Sequence, residues 1–257
     1  MDLGLKGRRA FVTGASRGIG RAIAYALAAE GAEVTAVARS GEPLRSLRDS
    51  AIDLPGNITA RQCDLADAVA ISTLSDVLGH TDVLVLNTGG PPPGAAADIS
   101  DDLWLQQFEA MFLSVIRVTR LALAGMRERR FGRIILVVSS GVLQPIPHLA
   151  ISNALRVALV GWAKTLADEV AAAGITVNCI APGRIATDRV AQIDRSRALR
   201  DGLSLEEAER QSRDTIPAGR YGDPAEFAAV AAFLASNSAS YMTGSVLRVD
   251  GGMVRHA

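Results

Sequence analysis

Lysine is nearly absent from this chain. Lys6 and Lys164 are the only lysines among 27 basic residues in 257, so a lysine general base or Schiff base has few candidates. Cysteine is equally scarce: Cys63 and Cys179 each end an apolar run. They read as small core residues in a reducing compartment, and a disulfide or metal pair is disfavoured. Net charge is missing as well. The 27 basic residues meet 27 acidic ones, which leaves no electrostatic case for nucleic acid or an anionic membrane as partner. No apolar run reaches the length of a membrane span, and the opening MDLGLKGRRAFVTG lacks the apolar stretch of a secretion signal. A soluble, cytoplasmic protein is expected.

What is present is a globular composition, 49% hydrophobic and without low-complexity segments. Short β-rich runs alternate with longer helical ones. RRAFVTG, AEVTAVAR, NITARQC, TDVLVLN, GRIILVVSS, GITVNCIAP and SVLRVDGG read as seven strands. Helical spacing covers IGRAIAYALAAEG and residues 66–79, 101–130, 150–173 and 224–236. Nearly all-apolar strands imply burial on both faces, hence a parallel sheet with helices on each side. The expected fold class is α/β, a Rossmann-type doubly wound domain occupying residues 1–257, with a mostly parallel seven-stranded sheet. The charged stretch 188–214 follows a strand's C-terminal end and is a candidate substrate lid or an exposed helical excursion.

TGASRGIG, Thr13–Gly20, joins the first strand to the first helix. Its glycines permit a tight turn and bring backbone N–H groups to a pyrophosphate at a helix N-terminus. The strand before and the helix after supply the context that gives such a loop its meaning. Where an acidic residue would hold the ribose hydroxyls of NAD, this chain has Arg39 and Ser40, and Arg17 lies within the turn. Guanidinium groups suit a 2′-phosphate, so NADP is favoured and NAD remains possible.

TGASRGIG, CDLAD at Cys63–Asp67, NTGG at Asn87–Gly90, GRIILVVSS, NCIAPGRIATD and YMTGSVLRVDGG together resemble the short-chain dehydrogenase/reductase family, most closely its 3-oxoacyl carrier-protein reductase branch. The resemblance covers essentially the whole chain. It implies a nicotinamide cofactor, a small-molecule substrate and a homo-oligomer, usually a tetramer. It also implies cofactor contacts from Gly14, Ser16, Arg17, Gly18, Ile19 and Gly20 in the turn. Arg39 would meet the 2′-phosphate, Asp64 and Leu65 the adenine, and Asn87 and Gly89 the adenosine side. Pro182, Gly183, Ile185 and Thr187 would frame the nicotinamide. No metal is implied.

The family's chemistry couples hydride transfer to a proton transfer by a tyrosine. A lysine one helical turn later lowers the phenol pKa and binds ribose. A serine orients the carbonyl and an asparagine holds a proton-relaying water. Counted from GRII, the serine falls on Ser139, the tyrosine on Ser152, the lysine on Arg156 and the asparagine on Met111. Anchoring on Ser140 instead gives Asn153 and Val157, so a one-residue slip does not restore the pair. Tyr25, Tyr221 and Tyr241 lie in other elements. An aliphatic hydroxyl starts several pKa units above a phenol's value of about 10. An arginine stays protonated, with a pKa above about 12, yet offers a fixed charge to ribose, carboxylate or oxyanion. Ser139, Ser152 and Arg156 are therefore the candidate catalytic residues. His148, just ahead of the Ser152 helix, is a conceivable substitute proton donor.

Three readings stay open at this level. One is an NADP-dependent oxidoreductase acting on a carbonyl or alcohol with altered proton handling. Another is a non-redox isomerase, dehydratase or lyase in which Ser152 and Arg156 bind an acidic substrate. The third is a nucleotide-binding protein without catalysis. Substrate specificity is expected from residues 91–98, 142–151 and 188–214.

Overall fold

VLVL at Val83–Leu86 and GRIILV at Gly132–Val137 are buried at every position, as runs with no polar face must be. They form β4 and β5 of a sheet whose other strands are β1 (Arg9–Thr13), β2 (Glu33–Ala38), β3 (Asn57–Gln62), β6 (Ile175–Pro182) and β7 (Val246–Val249). The computed structural model describes residues 2–255. All pairings are parallel, in the order β3-β2-β1-β4-β5-β6-β7. The expected seven-stranded Rossmann-type sheet is therefore present.

Side-chain alternation divides the interior into two cores. Val12, Val83, Val85, Ile135 and Val137 point to one face. Phe11, Leu84, Leu86, Ile134 and Leu136 point to the other. On the first face lie α1 (Gly18–Ala29), α2 (Gly41–Ser50) and α10 (Pro224–Ala235). Four helices cover the second: α3 (Ala68–Ser72), α4 (Ser75–Gly79), α6 (Ser114–Arg129) and α7 (Ala150–Val170). α5 (Asp101–Phe108) precedes α6, and α8 (Asp188–Asp201) with α9 (Leu205–Asp214) fills the charged stretch after β6.

Several boundaries differ from expectation. β3 lies at the sheet edge and is mostly exposed, so it is not buried on both faces. Residues 66–79 break at Thr73–Leu74 into α3 and α4, the first capped by Asp67 accepting from Val69 and Ala70 amides. Residues 101–130 are interrupted by one π-helical turn, Glu109–Leu113, with Met111 buried in it. α2 was not anticipated. GEPLRSLRDS shows the core only Leu44 and Leu47, too few apolar residues to reveal a period, although Pro43 suits a first helical turn. Both cysteines are free and buried, as expected.

α6 seats close to the α4 carbonyl end. Arg129 donates to Gly79 O (2.9 Å), Thr81 O (2.7 Å) and Asp82 Oδ1 (3.1 Å). A Cβ on Gly125 would overlap the Gly79 carbonyl oxygen. Replacing Gly125 with Ala should cost about 1–3 kcal/mol of overpacking. Thermal unfolding by circular dichroism should then show Tm lowered by roughly 2–10 °C, and an unchanged Tm would mean that this contact is not tight.

Candidate active site

The first βα turn sits where strand order reverses, between β1 and β4, the position at which doubly wound sheets leave a crevice. Two residues lock it. Thr13 Oγ1 donates to Asn87 O (3.1 Å) and accepts from the Asn87 amide (2.8 Å). Asn87 Nδ2 then donates to Gly14 O (3.3 Å). Gly14 and Gly18 have φ of 60° and 55°, a region that favours glycine. A Cβ on Gly20 would overlap the Gly14 carbonyl. Arg17 at the N-cap of α1 makes no capping side-chain bond, and the first turn of the helix holds no acid. The leading amides of Gly18, Ile19 and Gly20, with Ser16 just before them, thus stand at a helix end without a side-chain cap, a geometry that can accept an anion.

At the end of β2, Arg39 is exposed and makes no ion pair among the described residues; its carbonyl accepts from Gln62 Nε2 (2.9 Å). Ser40 begins α2, and Arg45 Nη1 lies 3.2 Å from where a Gly41 Cβ would stand. Arg17 is turned instead toward Asp188, at 4.0 Å. Asp64 accepts from the Ala66 amide (3.0 Å) and stays exposed, while Leu65 packs on the core. After β4, the Thr88 hydroxyl is buried without a partner, and no atom lies within 4 Å of a Cβ built on Gly89.

The β6 end forms the opposite wall. Gly183 donates to Val249 O (2.9 Å) and packs on Asp250, whose Cα would lie 2.6 Å from an added Cβ. Pro182 closes β6. Ile185 is buried, in a bridge to Gly222. Thr187 Oγ1 donates to Ile185 O (3.2 Å), and its methyl group stands 3.3 Å from the Cβ position of Gly18. The β6 loop therefore meets the glycine turn directly.

At the centre, Ser152 and Arg156 lie one helical turn apart on α7 and face inward, 7% and 6% exposed. Arg156 Nη1 donates to Val137 O at 2.6 Å. Burial, reinforced by the charge of Arg189, lowers its pKa to about 10, below the expected range but still cationic at neutral pH. Ser139 Oγ accepts from the Gly141 amide (3.1 Å). Asn153 is committed elsewhere: Nδ2 donates to Ile146 O (2.9 Å) and Oδ1 accepts from Ile146 N (3.3 Å). Val157 is 49% exposed. The frame anchored on Ser139 thus directs its pair inward, and the frame anchored on Ser140 does not. Met111 packs with Ile151 and Leu155 in a small apolar cluster. His148 is exposed at φ 60°, with its carbonyl accepting from the Gly94 amide (2.8 Å).

A family model described as "Enoyl-(Acyl carrier protein) reductase" matches residues 14–254. The 3-oxoacyl-[acyl-carrier-protein] reductase FabG of Vibrio cholerae is 38% identical over 257 residues, covering 98% of this chain and 99% of its own. Among solved structures, an actinorhodin polyketide ketoreductase with NADPH superposes with a TM-score of 0.92 at 36% identity, covering 97% and 98% of the two chains. L-sorbose reductase from Gluconobacter frateurii, complexed with NADPH and L-sorbose, gives 0.93 at 32% identity, covering both chains fully. The chain belongs to the short-chain dehydrogenase/reductase family.

A feature of this short-chain dehydrogenase/reductase that sequence reading missed is the anchoring of the charged stretch 188–214. Asp194, fully buried in α8, accepts from Arg184 Nη1 (2.7 Å), Ser212 Oγ (2.9 Å) and Tyr221 Oη (2.6 Å). Burial and this bond to Asp194 push the Tyr221 phenol up. A signal was available: Val190, Asp194 and Ala198 fall at successive i+4 positions on the buried face of α8. An acid on an apolar stripe calls for partners. Among the described residues no helix is long and apolar enough to cross a membrane, and no His/Cys/Asp/Glu cluster could hold a metal.

Asp194→Ala would leave Arg184 without its buried counter-charge, a change that costs about 3–5 kcal/mol in comparable pairs. Limited trypsin digestion should then cut within residues 188–214 at least tenfold faster than in the unaltered protein, with the sheet domain retained. Equal cleavage rates would refute the anchoring role.

Proposed function

We propose that the protein is an NADP-dependent oxidoreductase of a small carbonyl or alcohol, with a proton route that bypasses the family's tyrosine. The observation that carries this reading is the set of polar groups gathered at the strand-order reversal. It joins the uncapped α1 N-terminus, the unpartnered Thr88 hydroxyl and the free Arg39 to an inward-facing Ser152 and Arg156. These groups fit a phosphorylated dinucleotide. The α1 amides would take the pyrophosphate, and Arg39 with Ser40 and Arg45 the 2′-phosphate, by charge-assisted hydrogen bonds. The solved relatives with NADPH support the same choice.

When bound, the nicotinamide supplies or accepts the hydride. Arg156, steered by Val137 O, keeps guanidinium edges free for ribose hydroxyls or for charge developing on a substrate oxygen. Ser139 and Ser152 orient that oxygen by hydrogen bonding. Neither hydroxyl is acidic enough to serve as a phenol does, and Met111 closes the family's usual water position with an apolar side chain. The proton therefore comes from solvent or from the substrate; the exposed position of His148 makes it a secondary candidate. The exposed apolar residues Leu105 and Val157 on α5 and α7, with Phe108 stacked on Phe112, suit a homo-oligomer. Light scattering should give a mass above that of one chain, and a monomer would remove this element.

NADPH oxidation at 340 nm, followed across ketones, oxoacyl thioesters and quinones, should exceed the buffer rate for at least one class. No turnover across the panel, in a protein that binds NADPH, would count against the oxidoreductase reading. The double substitution Ser152→Tyr with Arg156→Lys should raise reductase activity, since a general acid typically contributes about 10²–10⁴-fold. No gain from a folded, NADPH-binding variant would mean that the pocket, not just its acid, has changed.

A further inference from the structure

Three guanidinium groups belong to elements that meet at the C-terminal end of the sheet: Arg17 in the glycine turn, Arg189 in α8 and Arg156 in α7. Arg17 is exposed near Asp188. Arg189, in the first turn of α8, reaches across to the loop after β4, where Nη2 donates to Pro91 O (2.7 Å), while Nη1 donates to Gln192 Oε1 of its own helix (3.2 Å). A Cβ on Gly90 would lie 2.8 Å from Arg189 Nε, so the missing side chain there leaves room for this crossing. Arg156 lies deepest, bonded to Val137 O. Arg189 reaches the loop after β4 and Arg156 the end of β5, two adjacent strands paired through Leu86 and Leu136; in keeping with this, Arg17 lowers the Arg189 pKa and Arg189 that of Arg156, in both cases secondary to burial.

Their neutralisation is incomplete. The acceptors that Arg156 and Arg189 use are neutral carbonyl and amide oxygens. No carboxylate among the described residues lies within ion-pairing distance of either. Asp188 is the one acid paired with the row, 4.0 Å from Arg17 and 80% exposed. A buried cation without a counter-ion is costly and calls for an anion. The glycine turn and α1 amides already answer the pyrophosphate, and Arg39 lies at the far end of the crevice for the 2′-phosphate. Arg189 instead touches the Gly90–Pro91 loop, which lies beside the His148–Leu149 segment through the Gly94 bridge. That segment leads into α7, whose N-cap Leu149 lies three residues before Ser152.

Building on the oxidoreductase reading above, we infer that Arg189 and Arg156 together bind a carboxylate of the substrate, making the preferred substrate a keto acid or hydroxy acid. A guanidinium pair presents several N–H donors in planar forks, matched to carboxylate geometry. The charge acts in a low-dielectric setting, so a neutral ester of the same skeleton leaves the pair uncompensated and binds more weakly.

The test compares two acid–ester pairs, acetoacetate with methyl acetoacetate and levulinate with methyl levulinate, on the full chain saturated with NADPH. Thermal shift of the NADPH complex reads binding without requiring turnover, and KM reads it where turnover occurs. Both acids should bind at least tenfold more tightly than their esters. Arg189→Met should reduce that preference at least tenfold, Arg189→Lys should restore part of it, and NADPH affinity by fluorescence titration should change less than threefold in both. Equal binding of acid and ester by the unaltered protein, or no binding of any of the four, overturns the inference. So does an Arg189→Met variant that keeps the acid preference but loses NADPH affinity tenfold, which would reassign Arg189 to the cofactor's phosphates. Absence of NADPH binding in the unaltered protein would instead sink the oxidoreductase reading itself, a separate result of the same titration.

Discussion

The reciprocal hydrogen bonds between Thr13 and Asn87 hold the first and fourth strands together just where the sheet reverses its order. The rest of the crevice depends on that clamp. It fixes the Gly14 carbonyl against Asn87 and so sets the height at which α1 begins. The same turn then meets Thr187 from the β6 side. Each wall of the candidate site is thus referenced to one polar contact at the sheet's C-terminal edge. The Thr13 hydroxyl at its centre is buried, so leaving it unpaired would cost free energy.

The parallel sheet, its seven strands and the glycine turn were legible because they rest on local signals: runs of buried β-branched residues and glycines at fixed spacing. Edge effects were not legible in the same way. NITARQ reads as a strand, but its exposure follows from lying last in the order. α2 escaped notice because a surface helix with two inward leucines carries little periodicity. The break between α3 and α4 and the π-helical turn at Glu109–Leu113 interrupt stretches whose apolar spacing continues across them, so periodicity alone does not reveal them.

For the candidate site, the pattern shared with relatives identified positions, while the structure added orientation. Ser152 and Arg156 were singled out by what they replace; the inward aim of both, with Val157 outward, follows from helix phase. Arg189 was invisible as a functional residue. In the sequence it is one charge in a charged segment, and only the crossing to Pro91 distinguishes it. The Asp194 anchor was likewise concealed by the surrounding charges, although its phase on α8 gave a clue.

The bridge between Gly94 and Leu149 has a consequence for the proline-rich loop after β4. It fastens that loop to the approach of α7, while Arg189 at the start of α8 holds Pro91 O from the other side at 2.7 Å. A stretch rich in prolines and poor in contacts of its own is thus tethered at two points, and any displacement of it must break a bond to one neighbour or carry that neighbour along.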